Sequence, residues 1–141
     1  MKRTFAFLLL FLMSGCSAKR IAVIKDRAEL ARLGESAQAY WQALRWTDFS
    51  AASVFIEDPS ERFDWLQEAG QSTARQYRSA EIISVDSGPV MEGHPRGFQR
   101  EGVVIVQVSF FTLPNQVLET EMIKQSWYRS AGGWFVELQV E

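Results

Sequence analysis

The chain has 141 residues, 47% of them hydrophobic, and a formal net charge of −2. It holds enough apolar material for one packed core and no tract polar enough to stay disordered. The acidic balance leaves no basic face for a phosphate backbone, which argues against a nucleic-acid partner; the single cysteine excludes an internal disulfide framework and a cysteine-ligated zinc.

At the start of the chain, Lys2 and Arg3 precede an apolar run from Phe5 to Met13, and Ser14-Gly15-Cys16 follows. Positive start, short apolar middle and small residues at a cut form the plan of a secretory signal. The run is about half of the roughly 20 residues a membrane-spanning helix needs. Because the small residues stop at the one cysteine, the segment resembles a bacterial lipoprotein signal, with Met13-Ser14-Gly15-Cys16 as its lipobox. The resemblance implies cleavage after Gly15, a diacylglyceryl group on the Cys16 thiol and contact with the lipid bilayer through the acylated Cys16. Acyl chains hold by about 0.8 kcal/mol per buried methylene. Ser17, and not Asp, follows the cysteine, which in a Gram-negative envelope favours the periplasmic face of the outer membrane. Residues 1–15 are then the signal peptide, 16–27 a lipidated tether and 28–141 the domain. Loss of Lys2 and Arg3 leaves 13 basic residues against 17 acidic. Lys19, Arg20, Lys25 and Arg27 gather beside the anchor, diluted by Asp26 and Glu29, and read as a solvated linker.

From Glu29 to Leu44, the residues Leu30, Leu33, Ala37, Tyr40, Trp41 and Leu44 recur every three or four positions, which predicts an amphipathic helix slightly weakened by Gly34. Asp48 can cap a short second helix carrying Phe49, Ala52 and Phe55. A third starts at Asp58, with Pro59 at its first position, Glu61 at the capping-box position and a stop near Gly70. After Gln76 the pattern changes to strands: Tyr77 to Val85, then a Gly- and Pro-rich loop from Ser87 to Arg100, then the β-branched and aromatic run Val103 to Thr112. Leu113-Pro114-Asn115 turns the chain into Gln116 to Arg129. There Val117, Ile123 and Trp127 share one face and Leu118, Met122 and Tyr128 the other. Ala131-Gly132-Gly133 marks a tight turn into Trp134 to Val140. Helices first and an antiparallel meander afterwards make an α+β class, N-terminal helices packed on a curved antiparallel sheet.

Two stretches carry a further resemblance. Tyr40-Trp41-Gln42-Ala43-Leu44 with Asp48-Phe49-Ser50-Ala51-Ala52, and Gln125-Ser126-Trp127-Tyr128 with Gly132-Gly133-Trp134-Phe135-Val136, are similar to the opening and ending of NTF2-like domains. The family implies a cone, a bent sheet wrapped around a long helix with a pocket at its open end, and pairing into a homodimer through the sheet. The cystatin-like fold is the neighbouring alternative.

Catalytic signals are sparse. His94, the only histidine, sits among Gly and Pro in the long loop without a Ser or Cys partner and reads as exposed. There is no phosphate-binding glycine loop, no nucleophile elbow and no metal-ligand spacing, so neither a cofactor nor a metal is expected. Glu119 and Glu121 lie two apart on a strand and share a face; inside a cone they would raise each other's pKa, whereas on a convex face or at a wet strand end they only solubilise, which is the favoured reading. Asp48 and Tyr40 are further polar candidates for an enzyme acting on a small apolar substrate, an isomerase, dehydratase or hydrolase. The aromatic surplus, five Trp and ten Phe, fits core packing or a binding patch. Trp41, Phe110, Phe111 and Trp127, with Glu119 and Glu121, are therefore the pocket or interface candidates. Since adjacent strand residues face opposite ways, one of Phe110 and Phe111 leaves the core. The sequence thus points first to a non-catalytic module that binds an envelope protein or a small apolar ligand, with the enzyme as the alternative.

Overall fold

The computed structural model describes residues 15–71 and 75–138, with side chains from residue 22 onward. The lipobox residues before Gly15, the Cys16 thiol and Val140 lie outside the described residues. The elements are α1 (Gly15–Arg45), α2 (Phe49–Ser53), α3 (Pro59–Gln71), β1 (Arg75–Ser87), β2 (Arg100–Thr112), β3 (Val117–Ser130) and β4 (Gly133–Val136).

Helix α1 is continuous through the segment expected as a tether. Apolar periodicity marks it only from Glu29, because residues 22–28 are exposed and carry no face for a core to select. Ala22, Lys25, Arg27 and Ala28 among them are nonetheless good helix formers, and Asp26 is tied to Arg100 Nη2 at 2.8 Å. At its other end the helix closes with Thr47 N–H to Leu44 O and Asp48 N–H to Ala43 O. This Schellman closure puts Thr47 at φ 56°, where glycine is usual. Asp48 then caps α2, accepting from Ala51 N–H at 2.9 Å, and Asp58 caps α3, accepting from Ser60 and Glu61 N–H. Both caps were legible as short acidic residues ahead of apolar runs.

The four strands form one antiparallel sheet in chain order, β1-β2-β3-β4. Strand β4 is shorter than the expected Trp134–Val140, and its free edge is met by the chain after α2, through Val136 N–H to Phe55 O. Strand β1 has irregularities between Tyr77 and Ser79 and between Ile82 and Ser84. They keep Tyr77, Ala80, Ile82 and Val85 opposite Phe110, Val108, Val106 and Val104, so all four stay on the inner face although their spacing is not a strict two.

The helices lie on that inner face. Leu33, Ala37, Tyr40, Trp41 and Leu44 of α1 are buried against Val104, Val106, Val108, Phe110, Trp127, Trp134 and Val136. Side chains as fully covered as Leu33, Phe110 and Trp127 each contribute about 1.5–3 kcal/mol relative to exposure. Gly102 lets the middle of α1 approach: a Cβ there would sit 2.5 Å from Leu33 Cδ2. At the same end Arg100 and Arg129 project from the sheet to Asp26 and to Glu29 Oε2. No described helix is long and apolar enough to cross a membrane.

Candidate functional site

The interior between α1 and the sheet is the place for a pocket, and it is filled. Tyr40 and Trp41 are neighbours on α1, and both are buried. The Tyr40 ring meets Trp41, Phe55 and Trp127 edge-on at centroid distances of 5.8, 6.2 and 5.9 Å. Trp41 continues the chain of rings to Tyr77 at 5.4 Å, and Tyr77 to Phe110 at 6.1 Å. These separations and near-perpendicular planes are the favourable arrangement for aromatic quadrupoles.

One polar group sits within this cluster. Gln125 lies on the inner face between Ile123 and Trp127, and its Oε1 accepts from Trp41 Nε1 at 3.1 Å and from Trp127 Nε1 at 3.0 Å. Both indole donors of the centre are satisfied by one oxygen. Sequence reasoning passed over Gln125; the signal available was a polar residue at an inward position of an alternating strand.

Glu119 and Glu121 do not converge in a pocket and sit as the solubilising reading has them. Glu119 and Glu121 do share the inner face, opposite Phe110 and Val108, but both are exposed. Glu121 pairs with Arg75 at 3.3 Å, and Glu119 accepts from Thr112 Oγ1 at 3.3 Å. The guanidinium of Arg75 also lies over the Phe110 ring, 4.4 Å from its centroid. Asp48 is spent as a helix cap. Tyr40 is the one enzyme candidate inside; burial, and secondarily the neighbouring Tyr77, push its hydroxyl pKa well up, so it stays protonated.

Phe110 and Phe111 part as alternation requires. Phe110 is core, whereas Phe111 is half-buried on the outer face opposite Leu118 and Gln76. That face also shows Leu118 and Met122, 55% and 54% exposed, beside the half-buried Val103 and Ile105. His94 is not a free loop side chain: its ring stacks on Phe98 at 5.0 Å, and Phe98 stacks on Tyr128 at 3.9 Å. Its Nδ1 accepts from Arg96 N–H. This stack folds the loop onto the outer face at one end of the sheet. Tyr128, buried and facing the Glu57 carboxylate, has its hydroxyl pKa pushed up to about 12.

Open depressions lie at the surface of the described residues. A groove of about 470 Å³ runs between α1 and β1, lined by Gln38, Trp41, Gln42 and Arg45 and by Ala80, Glu81 and Ile82. Another of about 550 Å³ lies on the sheet near Asp86, Glu101, Val103, Ile105 and Lys124. Neither is lined by Glu119 or Glu121, and among the described residues no three His, Cys, Asp or Glu side chains come together as a metal site.

No protein-family model and no curated protein matches the chain. The structure is similar to that of a ketosteroid isomerase-like protein from Erwinia carotovora atroseptica, with a TM-score of 0.53 and 16% identity over 77% of this chain and 90% of that one. At this identity the likeness concerns the fold. Helices packed on a curved four-stranded antiparallel sheet make the chain an α+β protein of NTF2-like fold.

Proposed function

We propose that this chain is an acylated protein of the bacterial envelope, held at the periplasmic face of the outer membrane through Cys16, whose NTF2-like domain is a non-catalytic binding module. The observation that carries the non-catalytic part is the filled interior: rings from Tyr40, Trp41, Phe55, Tyr77 and Trp127 occupy the space a substrate would need. The acidic side chains suited to general acid-base work are in water or engaged as a cap and an ion pair. The lipobox supplies the anchoring part. The outer sheet face, with Leu118, Met122 and Phe111, is the surface we assign to the partner, an envelope protein or a second copy of this chain pairing sheet to sheet. A small apolar ligand would have to use the open groove beside Trp41.

The test is crosslinking in cells followed by capture of the acylated protein. Three chains are compared: wild type, Cys16→Ser, and a Leu118→Lys, Met122→Lys variant. A discrete crosslinked species, hetero- or homomeric, lost in both variants supports an anchored module working through its outer face. Normal acylation and processing of Cys16→Ser would sink the lipoprotein reading. A species that persists in the double-lysine variant would move the binding surface elsewhere. The enzyme alternative gains only if Tyr40→Phe abolishes a cellular phenotype while the folded domain is unchanged.

A further inference from the structure

We infer that the outward side of the first half of α1 is a membrane-seating surface, which lies against an anionic bilayer and turns the outer sheet face away from it. The inference rests on the anchoring reading above and adds the orientation of the anchored domain.

The argument starts from where the acidic residues go. In sequence, Asp26 and Glu29 dilute the basic cluster. In the structure both are engaged by arginines: Asp26, its side chain still 59% exposed, accepts from Arg100 at 2.8 Å. Glu29 takes Arg129 on one oxygen and Arg32 on the other. Their charge is thereby spent on the sheet's own arginines. No acidic side chain among the described residues forms an ion pair with Lys25 or Arg27, and both are exposed.

The outward stripe follows from helix geometry. Ile24 and Ala28 each lie two positions from Asp26, and Ala31 two positions from both Glu29 and Leu33. Two positions are about 200° of rotation, the opposite side of the helix. All three are exposed, Ile24 at 66%. Lys25 flanks this stripe on one side and Arg27 on the other, the sequence carries Lys19 and Arg20 on the preceding turns, and the exposed Glu35, one turn beyond Ala31, ends the stripe. An apolar stripe between basic borders is the pattern of a helix lying in the headgroup region, with basic side chains reaching back to lipid phosphates. Charge complementarity selects the occupant: an anionic leaflet satisfies both the stripe and its borders. Because α1 covers the inner face of the sheet, seating its outward side leaves Gln107 and the rest of the outer face on the far side of the molecule.

The test uses the full chain, matured and acylated in cells, in vesicles of phosphatidylethanolamine with phosphatidylglycerol and in vesicles of phosphatidylcholine alone. Acylation occupies Cys16, so an Ile24→Cys or Gln107→Cys variant carries one thiol for an environment-sensitive dye. The Ile24 dye is expected to shift to the blue and brighten severalfold in the anionic vesicles, and the Gln107 dye to stay aqueous. Neutralising Lys25 and Arg27 to glutamine weakens seating by about fivefold per charge, and raising the salt weakens it too. An Ile24 dye that remains aqueous on chains floating with the vesicles overturns the seating while the anchor stands. A Gln107 dye that becomes dry overturns the orientation. A chain without acyl label that does not float refutes the anchor; the Ile24 dye under excess anionic vesicles then decides the seating by itself, retained if it shifts and refuted if it does not.

Discussion

At the centre of the interior, Gln125 Oε1 accepts both the Trp41 and the Trp127 indole N–H groups. Gln125→Met keeps the length of the side chain and orphans both donors, each of which costs about 1–3 kcal/mol when buried. Partial access to water puts the expected loss near the lower end, about 2 kcal/mol. A denaturant midpoint that falls at unchanged slope measures it. Tyr128 gives a second effect, in pH. Its folded pKa, raised to about 12 by burial and the Glu57 carboxylate, lies above the ordinary value near 10, so the folded state holds the proton more tightly. That contribution is complete below pH 10 and is lost as pH rises toward 12. Stability curves of Tyr128→Phe are expected to be flatter across that window; an unchanged slope would mean that Tyr128 is not the group responsible. Neither residue stood out in the sequence. A glutamine or tyrosine on a strand is ordinary, and the partners that give these two their weight are distant in sequence: Trp41 to Gln125, Glu57 to Tyr128.

Among the elements, the contact of α1 with β2 depends on Gly102, where a Cβ would come within 2.5 Å of Leu33 and 3.0 Å of Trp134. Gly102→Ala is expected to destabilise by about 1–3 kcal/mol through overpacking, read as a lowered melting temperature. Helix α3 stands at the other extreme. None of its residues is fully buried. It is held by Trp65 against Tyr40 and Phe49 and by Arg62 on Ile56 O. Its amides are expected to exchange with deuterium well before those of β2, whose alternate residues are fully covered; equal protection would show that α3 opens only with the whole domain. The helix caps and the four strands could be read ahead of the structure because caps and alternation are local. The early start of α1 could not, since no packed face marks residues 22–28. Nor could the two irregularities of β1: strict alternation from Tyr77 would send Ser79 and Glu81 inward, where the structure keeps Ala80 and Ile82.

For the molecule as a whole, the α+β class and the meander followed from the order of the elements and the filled interior from the aromatic surplus; the surroundings of Glu119 and Glu121 did not follow. Whether Glu119 and Glu121 meet or remain in water depends on where α1 ends relative to the sheet. Arg45 closes that helix, leaving the two carboxylates on inner-face positions that stay exposed. Parity along a strand specifies a face; it does not specify whether anything covers it. The one-sided coverage of the sheet has a calorimetric consequence. Unfolding an average domain raises the heat capacity by about 12–15 cal/mol/K per residue, mainly through newly wetted apolar surface. Here Leu118, Met122 and much of the face around them are wet before unfolding begins, so the heat-capacity increment of the isolated protein should fall below that average. The missing part belongs to whatever covers the face: a partner that docks there should show it as a negative heat-capacity change on binding.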